Sequence, residues 1–355
     1  MPLSAEDLVA NPKFILALRF HAGRMRGMFN TGPRLARLLA SQQRWLLTQT
    51  AYALAMERDP ADSTSGFTAV RLTREITSHK VASRNTVLSF IDELVTYRFI
   101  AYAPGAERRR PRQFEPTEIS HQAMFGWLVS NLGALDLLDG GSRVAHVEAH
   151  PELVRVMQPR IALNCLQDPQ WREPPEHVAL FQWNDAGGLI VDHLVSRIDL
   201  DGDDPERVVV GHVDSRALAA DFMISRTHLQ RLFAKAAQQG CIGWDTIDKK
   251  PVLWMSRSFV EQYSRWQAIK FAYVDDAFRC EARGPSRIQV GENCSGRQRD
   301  KRPANASLGL SIAESPQRSW RDARCARWRQ SREQPFARSW RSQCGCSFAL
   351  CGLAR

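Results

Sequence analysis

SRNTVLSFIDELVTYRFI, Ser83 to Ile100, is the stretch on which the reading of the whole chain turns. Val87, Phe90, Ile91 and Leu94 recur at three- and four-residue spacing, the mark of one buried helical face. Ser83 stands at the N-cap, where its hydroxyl can accept from an orphaned first-turn N–H. A partner stretch, SRTHLQRLFAKAAQQGCI, runs from Ser225 to Ile242 at a gapless offset of 142 residues. Both begin Ser-Arg and end in Ile, and Val87, Phe90, Ile91 and Leu94 align with Leu229, Leu232, Phe233 and Ala236. The two stretches read as the recognition helices of two winged helix-turn-helix units.

Working outward, each copy has a similar surround. Thr73 caps a short helix from Arg74 to about His79, matched by Ser215 and Arg216, with Ile76 opposite Leu218. Phe99–Ala103 reads as a strand, Pro104–Arg112 as a basic hairpin tip and Gln113–Pro116 as the return strand. In the second copy Cys241–Trp244 and Val252–Met255 are the strands, Asp248–Pro251 is the tip, and Phe114 aligns with Trp254. Long helices flank these units. One is expected over Arg34–Glu57, one over Glu118–Leu138 and one over Leu189–Ile198. A last helix starts at about Ser258 with a Ser258–Glu261 capping box and ends near Cys280. Near the start, Ser4 caps a helix on which Phe14, Leu18 and His21 share a face, and Gly23 and Gly27 break the pattern.

The expected fold is mainly α with small β-wings, a tandem of winged helix-turn-helix domains followed by a disordered C-terminal tail. Residues 1–138 hold the N-terminal helices and the first unit, and 139–185 a proline-rich linker or packing region. Residues 186–282 hold the second unit, and 283–355 the tail. The tail carries the charge imbalance. The chain of 355 residues has 48 Lys+Arg and 38 Asp+Glu. Arg283–Arg355 alone has 15 and 5 of these, leaving 33 of each sign over Met1–Ala282. Nucleic-acid binding by the body must therefore rest on local clusters and not on overall charge. The abrupt compositional change near Arg283 also fits a shifted or read-through reading frame.

Five of the eight cysteines lie in the tail. The other three lack ligand spacing, which fits a reducing cytosol. No signal peptide or apolar span of about 18 residues is seen, so no membrane partner and a cytoplasmic location are expected.

The chemistry of the outward faces suits duplex DNA. Arg and Asn can each read a purine edge in a bidentate manner. The expected contacts from the first helix are Ser83, Arg84, Asn85, Thr86 and Ser89. Those from the second are Ser225, Arg226, Thr227, His228, Gln230 and Arg231. Arg108, Arg109, Arg110 and Arg112 at one tip, and Lys249 and Lys250 at the other, suit phosphate or minor-groove contact. No enzyme is expected. There is no phosphate-binding GxxxxGK[ST] loop and no HExxH. HVEAH at His146–His150 offers two imidazoles without a third ligand, and Asp199–Asp204 departs from a calcium loop. No catalytic residue, metal or cofactor is assigned.

Residues 34–138, from the long helix through LTREI and SRNTVLSFIDEL to the basic wing, resemble MarR-type winged-helix regulators. SRTHLQRLF is also similar to the helix-turn-helix of AraC-type regulators. The MarR resemblance implies a homodimer on near-palindromic double-stranded DNA and release by a small-molecule effector of unidentified chemistry. Two units in one chain depart from that pattern and allow one chain to act as a pseudo-dimer. The alternatives are a plasmid-type replication initiator with paired winged helices, and a non-catalytic scaffold whose winged helices bind protein.

Overall fold

The computed structural model describes residues 2–32, 38, 40–62, 64–106 and 110–282. Over these the protein is mainly helical, with two small three-stranded antiparallel sheets. The tail read as disordered, 283–355, lies outside the described residues.

Helix α1 (Ala5–Ala10) is closed by a capping box between Ser4 and Asp7. Helix α2 (Phe14–Thr31) runs through Gly23 and Gly27, which were expected to end it. Burial of Phe14, Leu18, Met25 and Phe29 outweighs the roughly 1 kcal/mol that each glycine costs. Helix α3 (Gln42–Met56) starts later than Arg34, and the Ser41 hydroxyl accepts from Arg44 N–H at 3.4 Å.

The first copy follows: strand β1 (Phe67–Thr68), helix α4 (Ala69–Ser78), helix α5 (Arg84–Thr96), strands β2 (Ile100–Tyr102) and β3 (Gln113–Pro116), then helix α6 (Glu118–Asp139). Thr68, not Thr73, caps α4, accepting from Arg71 N–H at 3.2 Å. Thr73 instead lies inside the helix. Helix α6 stops at Gly140, whose φ of +68° a side chain would resist.

Residues 143–182 are more helical than a linker, and the short helices that the sequence suggests around Pro151–Met157 and Pro159–Leu166 run together across Pro159. Helices α7 (Arg143–Ala149), α8 (Val154–Gln167), α9 (Pro169–Arg172) and α10 (Glu176–Gln182) fill this stretch. The prolines mislead because Pro169 takes the first helical position, where its missing N–H costs nothing, behind an Asp168 cap. Met157, Ile161, Trp171 and Phe181 are all buried.

The second copy repeats the first: helix α11 (Gly187–Val195), strand β4 (Arg207–Gly211), helices α12 (Ser215–Asp221) and α13 (Arg226–Gln238), strands β5 (Ile242–Ile247) and β6 (Lys250–Ser256), and helix α14 (Arg257–Ala282). The Ser256 hydroxyl accepts from Phe259 N–H at 3.3 Å and takes the capping role expected of Ser258.

Each sheet places its last strand in the centre, β1-β3-β2 and β4-β6-β5. The strands expected from the sequence are β2, β3, β5 and β6; β1 and β4 were not expected. Helix ends match closely: Ser83 and Ser225 cap, and Arg98 (φ +57°) and Gly240 (φ +71°) close α5 and α13 in the left-handed region. Two alignments shift. Val81 N–H donates to Ile76 O and Ile224 N–H to Ala219 O, so Ile76 corresponds to Ala219, not Leu218. The first turn is thus one residue longer. Tyr102 pairs with Phe114 and Trp244 with Leu253, so the counterpart of Phe114 is Leu253, not Trp254.

The two copies share one buried cluster. Helix α2 packs on both α6 and α11, and α8 packs on both α3 and α14. A buried ion cluster ties these layers together. Arg143, 4% exposed, donates to Asp136 at 3.0 Å, to Asp139 at 2.6 and 2.8 Å and to Asp275 at 2.9 Å. Asp275 also accepts Arg279 Nε–H at 2.7 Å and Leu3 N–H at 2.8 Å.

Candidate nucleic-acid interface

The candidate residues are carried by two pairs of helices, α4–α5 and α12–α13. In α5, Val87, Phe90, Ile91 and Leu94 are buried, and Arg84, Asn85 and Ser89 are exposed. In α13, Leu229, Leu232, Phe233 and Ala236 are buried, and Arg226, Thr227, Gln230 and Arg231 are exposed. Among the described residues, neither Arg84 nor Arg226 makes a salt bridge, so both guanidiniums stand available at the first turn of their helices.

Several expected contacts are already engaged. Ser83 Oγ accepts Thr86 N–H at 3.2 Å and lies 2.9 Å from Thr86 Oγ1. Ser225 Oγ accepts His228 N–H at 3.1 Å. These hydroxyls hold helix termini, and Thr86 and His228 are only partly exposed. Asp214 caps α12 by accepting from Ala217 and Arg216, which holds its carboxyl below the usual carboxylate range.

The hairpin tips differ. Arg108 and Arg109 lie outside the described residues. Arg110 and Arg112 are exposed. Arg112 rests on Tyr102, with its guanidinium carbon 5.4 Å from the ring centroid and Nη1 donating to the hydroxyl at 3.2 Å. In the second hairpin only Asp248 and Lys249 form the turn, with φ of +50° and +64°. Lys250 belongs to β6, paired with Ile247. Positive φ at both loop residues matches the strand twist of a two-residue hairpin, though Asn or Gly is the usual occupant.

Each helix pair is braced by an arginine from an earlier helix. Arg44 of α3 pairs with Glu93 of α5 at 2.6 Å. Arg26 of α2 pairs with Asp221 of α12 at 2.6 Å and lies 4.6 Å over the Phe222 ring.

Sequence reading passed over a set of buried titratable groups. His21, Asp192 and Lys270 line a common cavity. A signal existed: Tyr263, Lys270 and Val274 share the inward stripe of α14, so a lysine sits where the spacing calls for an apolar residue. Elsewhere, the His146 and His150 rings lie with centroids 5.0 Å apart and planes tilted by 47°, and among the described residues no group of three metal-ligating side chains gathers. Among those residues also, no helix is long and apolar enough to cross a membrane.

No protein-family model matches the chain, and no curated protein or solved structure matches it either.

Proposed function

We propose that this chain is a sequence-specific double-stranded DNA-binding regulator that uses two winged-helix units as a pseudo-dimer. The observation that carries this reading is repetition. A strand, two helices and two strands occur twice, with the same sheet order. In each, a serine-capped second helix bears an exposed arginine at its first residue. Arg84, Asn85 and Ser89 on one face, and Arg226, Thr227, Gln230 and Arg231 on the other, supply base-reading chemistry. Arg110, Arg112, Lys249 and Lys250 supply charge for phosphate. Helix α5 and its surround keep the likeness to MarR-type regulators as part of this proposal.

The test is fluorescence anisotropy on duplexes selected by the full chain from a random pool. Each bidentate arginine contributes about 1–3 kcal/mol of discrimination, so Arg84→Ala and Arg226→Ala should each weaken selected-site binding by about 5- to 150-fold. Binding to random duplex should change far less. A double variant that keeps wild-type affinity and selectivity refutes the assignment. A fusion of two unlike heads also suits a replication initiator gripping repeated origin sites. Arrays of the selected sequence beside the coding region would favour that reading.

A further inference from the structure

A cavity of about 130 Å³ among α2, α3, α6, α11 and α14 has walls built mainly from Met25, Trp45, Trp127, Trp171 and Leu189. Charged groups intrude on this apolar shell. Lys270, 3% exposed, donates to His21 Nε2 at 3.2 Å. That bond leaves Nζ two further N–H donors, and no carboxylate among the described residues forms a salt bridge with it. Because His21 Nε2 accepts, the ring carries its proton on Nδ1, which donates to Ser130 Oγ at 2.9 Å. Aromatic faces of Phe271, Trp127 and Trp171 surround the ammonium at 4.4, 5.9 and 6.0 Å.

Asp192, on the same wall, accepts Tyr263 O–H at 3.1 Å. Gln267 Nε2–H donates to that same hydroxyl at 3.2 Å, which leaves Gln267 Oε1 buried without a partner. Trp171 Nε1–H is likewise buried without a partner. The wall thus holds a cation and an anion that attract one another, a spare donor on Trp171 and a spare acceptor on Gln267. Burying such groups unpaired costs several kcal/mol in general, and a protein keeps them where something completes them.

We propose that this cavity binds a small zwitterion, an α-amino acid with a short apolar side chain. Its carboxylate is taken by Lys270 and Trp171, its ammonium by Asp192 and Gln267, and its side chain by the tryptophan walls. A net-neutral ligand with both charges satisfies the two ends at once, whereas a simple anion would leave Asp192 facing added negative charge. The protonation of the wall agrees. Burial pushes Lys270 down and Asp192 up, and the attraction of each for the other only partly offsets this, so both ends gain from a ligand that brings opposite charge. Size agrees as well. A cavity of roughly 150 Å³ takes up benzene, and this one, of similar volume and partly open, admits a small amino acid. This inference does not rest on DNA binding.

The experiment is calorimetric titration of the full chain with L-valine and with its two halves, 3-methylbutanoate and isobutylamine. Valine should bind saturably, at least about tenfold tighter than either half. It should also shift the tryptophan fluorescence. Lys270→Met and Asp192→Asn should each abolish the preference for valine over the halves. No saturable valine binding overturns the proposal, and so does a half-molecule that binds as well as valine. Valine binding that survives both substitutions overturns it too. If a variant fails to fold, the comparison of valine with its halves on the wild-type chain decides alone.

Discussion

Replacing Arg143 with methionine tests whether α6, α7 and α14 are locked by one buried cation. Met retains the length of the aliphatic stem and removes every donor. Asp275, 0% exposed, would then lose its 2.9 Å partner while keeping Arg279 and the Leu3 N–H. Asp136 and Asp139 would face each other without the guanidinium between them. Removing one partner of a buried ion pair costs about 3–5 kcal/mol, because the remaining carboxylates lose a large part of their compensation. With an unfolding entropy of about 2.1 cal/mol/K per residue over about 280 residues, that cost lowers Tm by about 5–8 °C. Differential scanning calorimetry at neutral pH measures it. Asp275→Asn in the Arg143→Met background should cost about 1–3 kcal/mol less than in the wild-type background, since the two groups act on each other. A methionine variant that melts within about one degree of wild type would show that the cluster is solvated and carries no such lock. Strict additivity of the two substitutions would show the same.

Other outcomes follow from individual residues. Burial holds His21 well below its ordinary pKa, so the unfolded chain takes up a proton near pH 6.5 that the folded chain refuses. Stability should therefore fall as pH drops below about 6.5, by up to about 1.4 kcal/mol per pH unit for each such histidine. His193, pushed down to about 4 chiefly by burial, adds to this fall, whereas Asp192, pushed up to about 6, opposes it. Urea midpoints of His21→Gln should lose one proton's worth of that slope; an unchanged slope would place His21 outside the linkage. Lys249→Gly relieves a left-handed residue and should raise stability by about 0.5–1 kcal/mol while weakening binding to all duplexes alike. Gly187→Ala should destabilise by about 3 kcal/mol in chemical denaturation, because a methyl there would overlap the Phe181 carbonyl oxygen. Ser83→Ala and Ser225→Ala should each cost about 0.5–2 kcal/mol as lost caps, a loss that thermal melts without DNA would reveal.

The helices with strong period and clear caps were legible in the sequence. Ser83 with its Val87–Leu94 stripe and Ser225 with Leu229–Ala236 sit where spacing placed them. What escaped has physical reasons. Two residues, Phe67 and Thr68, are too few to show a strand period, and their pairing with β3 is a tertiary event. The prolines of 139–185 suggest breaks, yet Pro159 lies inside α8, where burial of Met157, Ile161 and Cys165 outweighs the lost hydrogen bond. The outward arginines of the candidate interface were readable because exposure follows from helical phase. The cavity was not, since it is lined from α2, α3, α6, α11 and α14 at once, and no local pattern announces that convergence.

The bridging of both copies by α2 has a consequence for mass action. Helix α2 packs on α6 of one half and α11 of the other, and its Arg26 grips the Asp221–Phe222 corner. Two halves joined in one polypeptide and one core do not part on dilution. Occupancy of a target would then follow the first power of chain concentration, where a dissociating homodimer would follow the second. The halves are also free to differ: Asn85 and Ser89 face outward on one side, Gln230 and Arg231 on the other. A target matched to them need have no dyad.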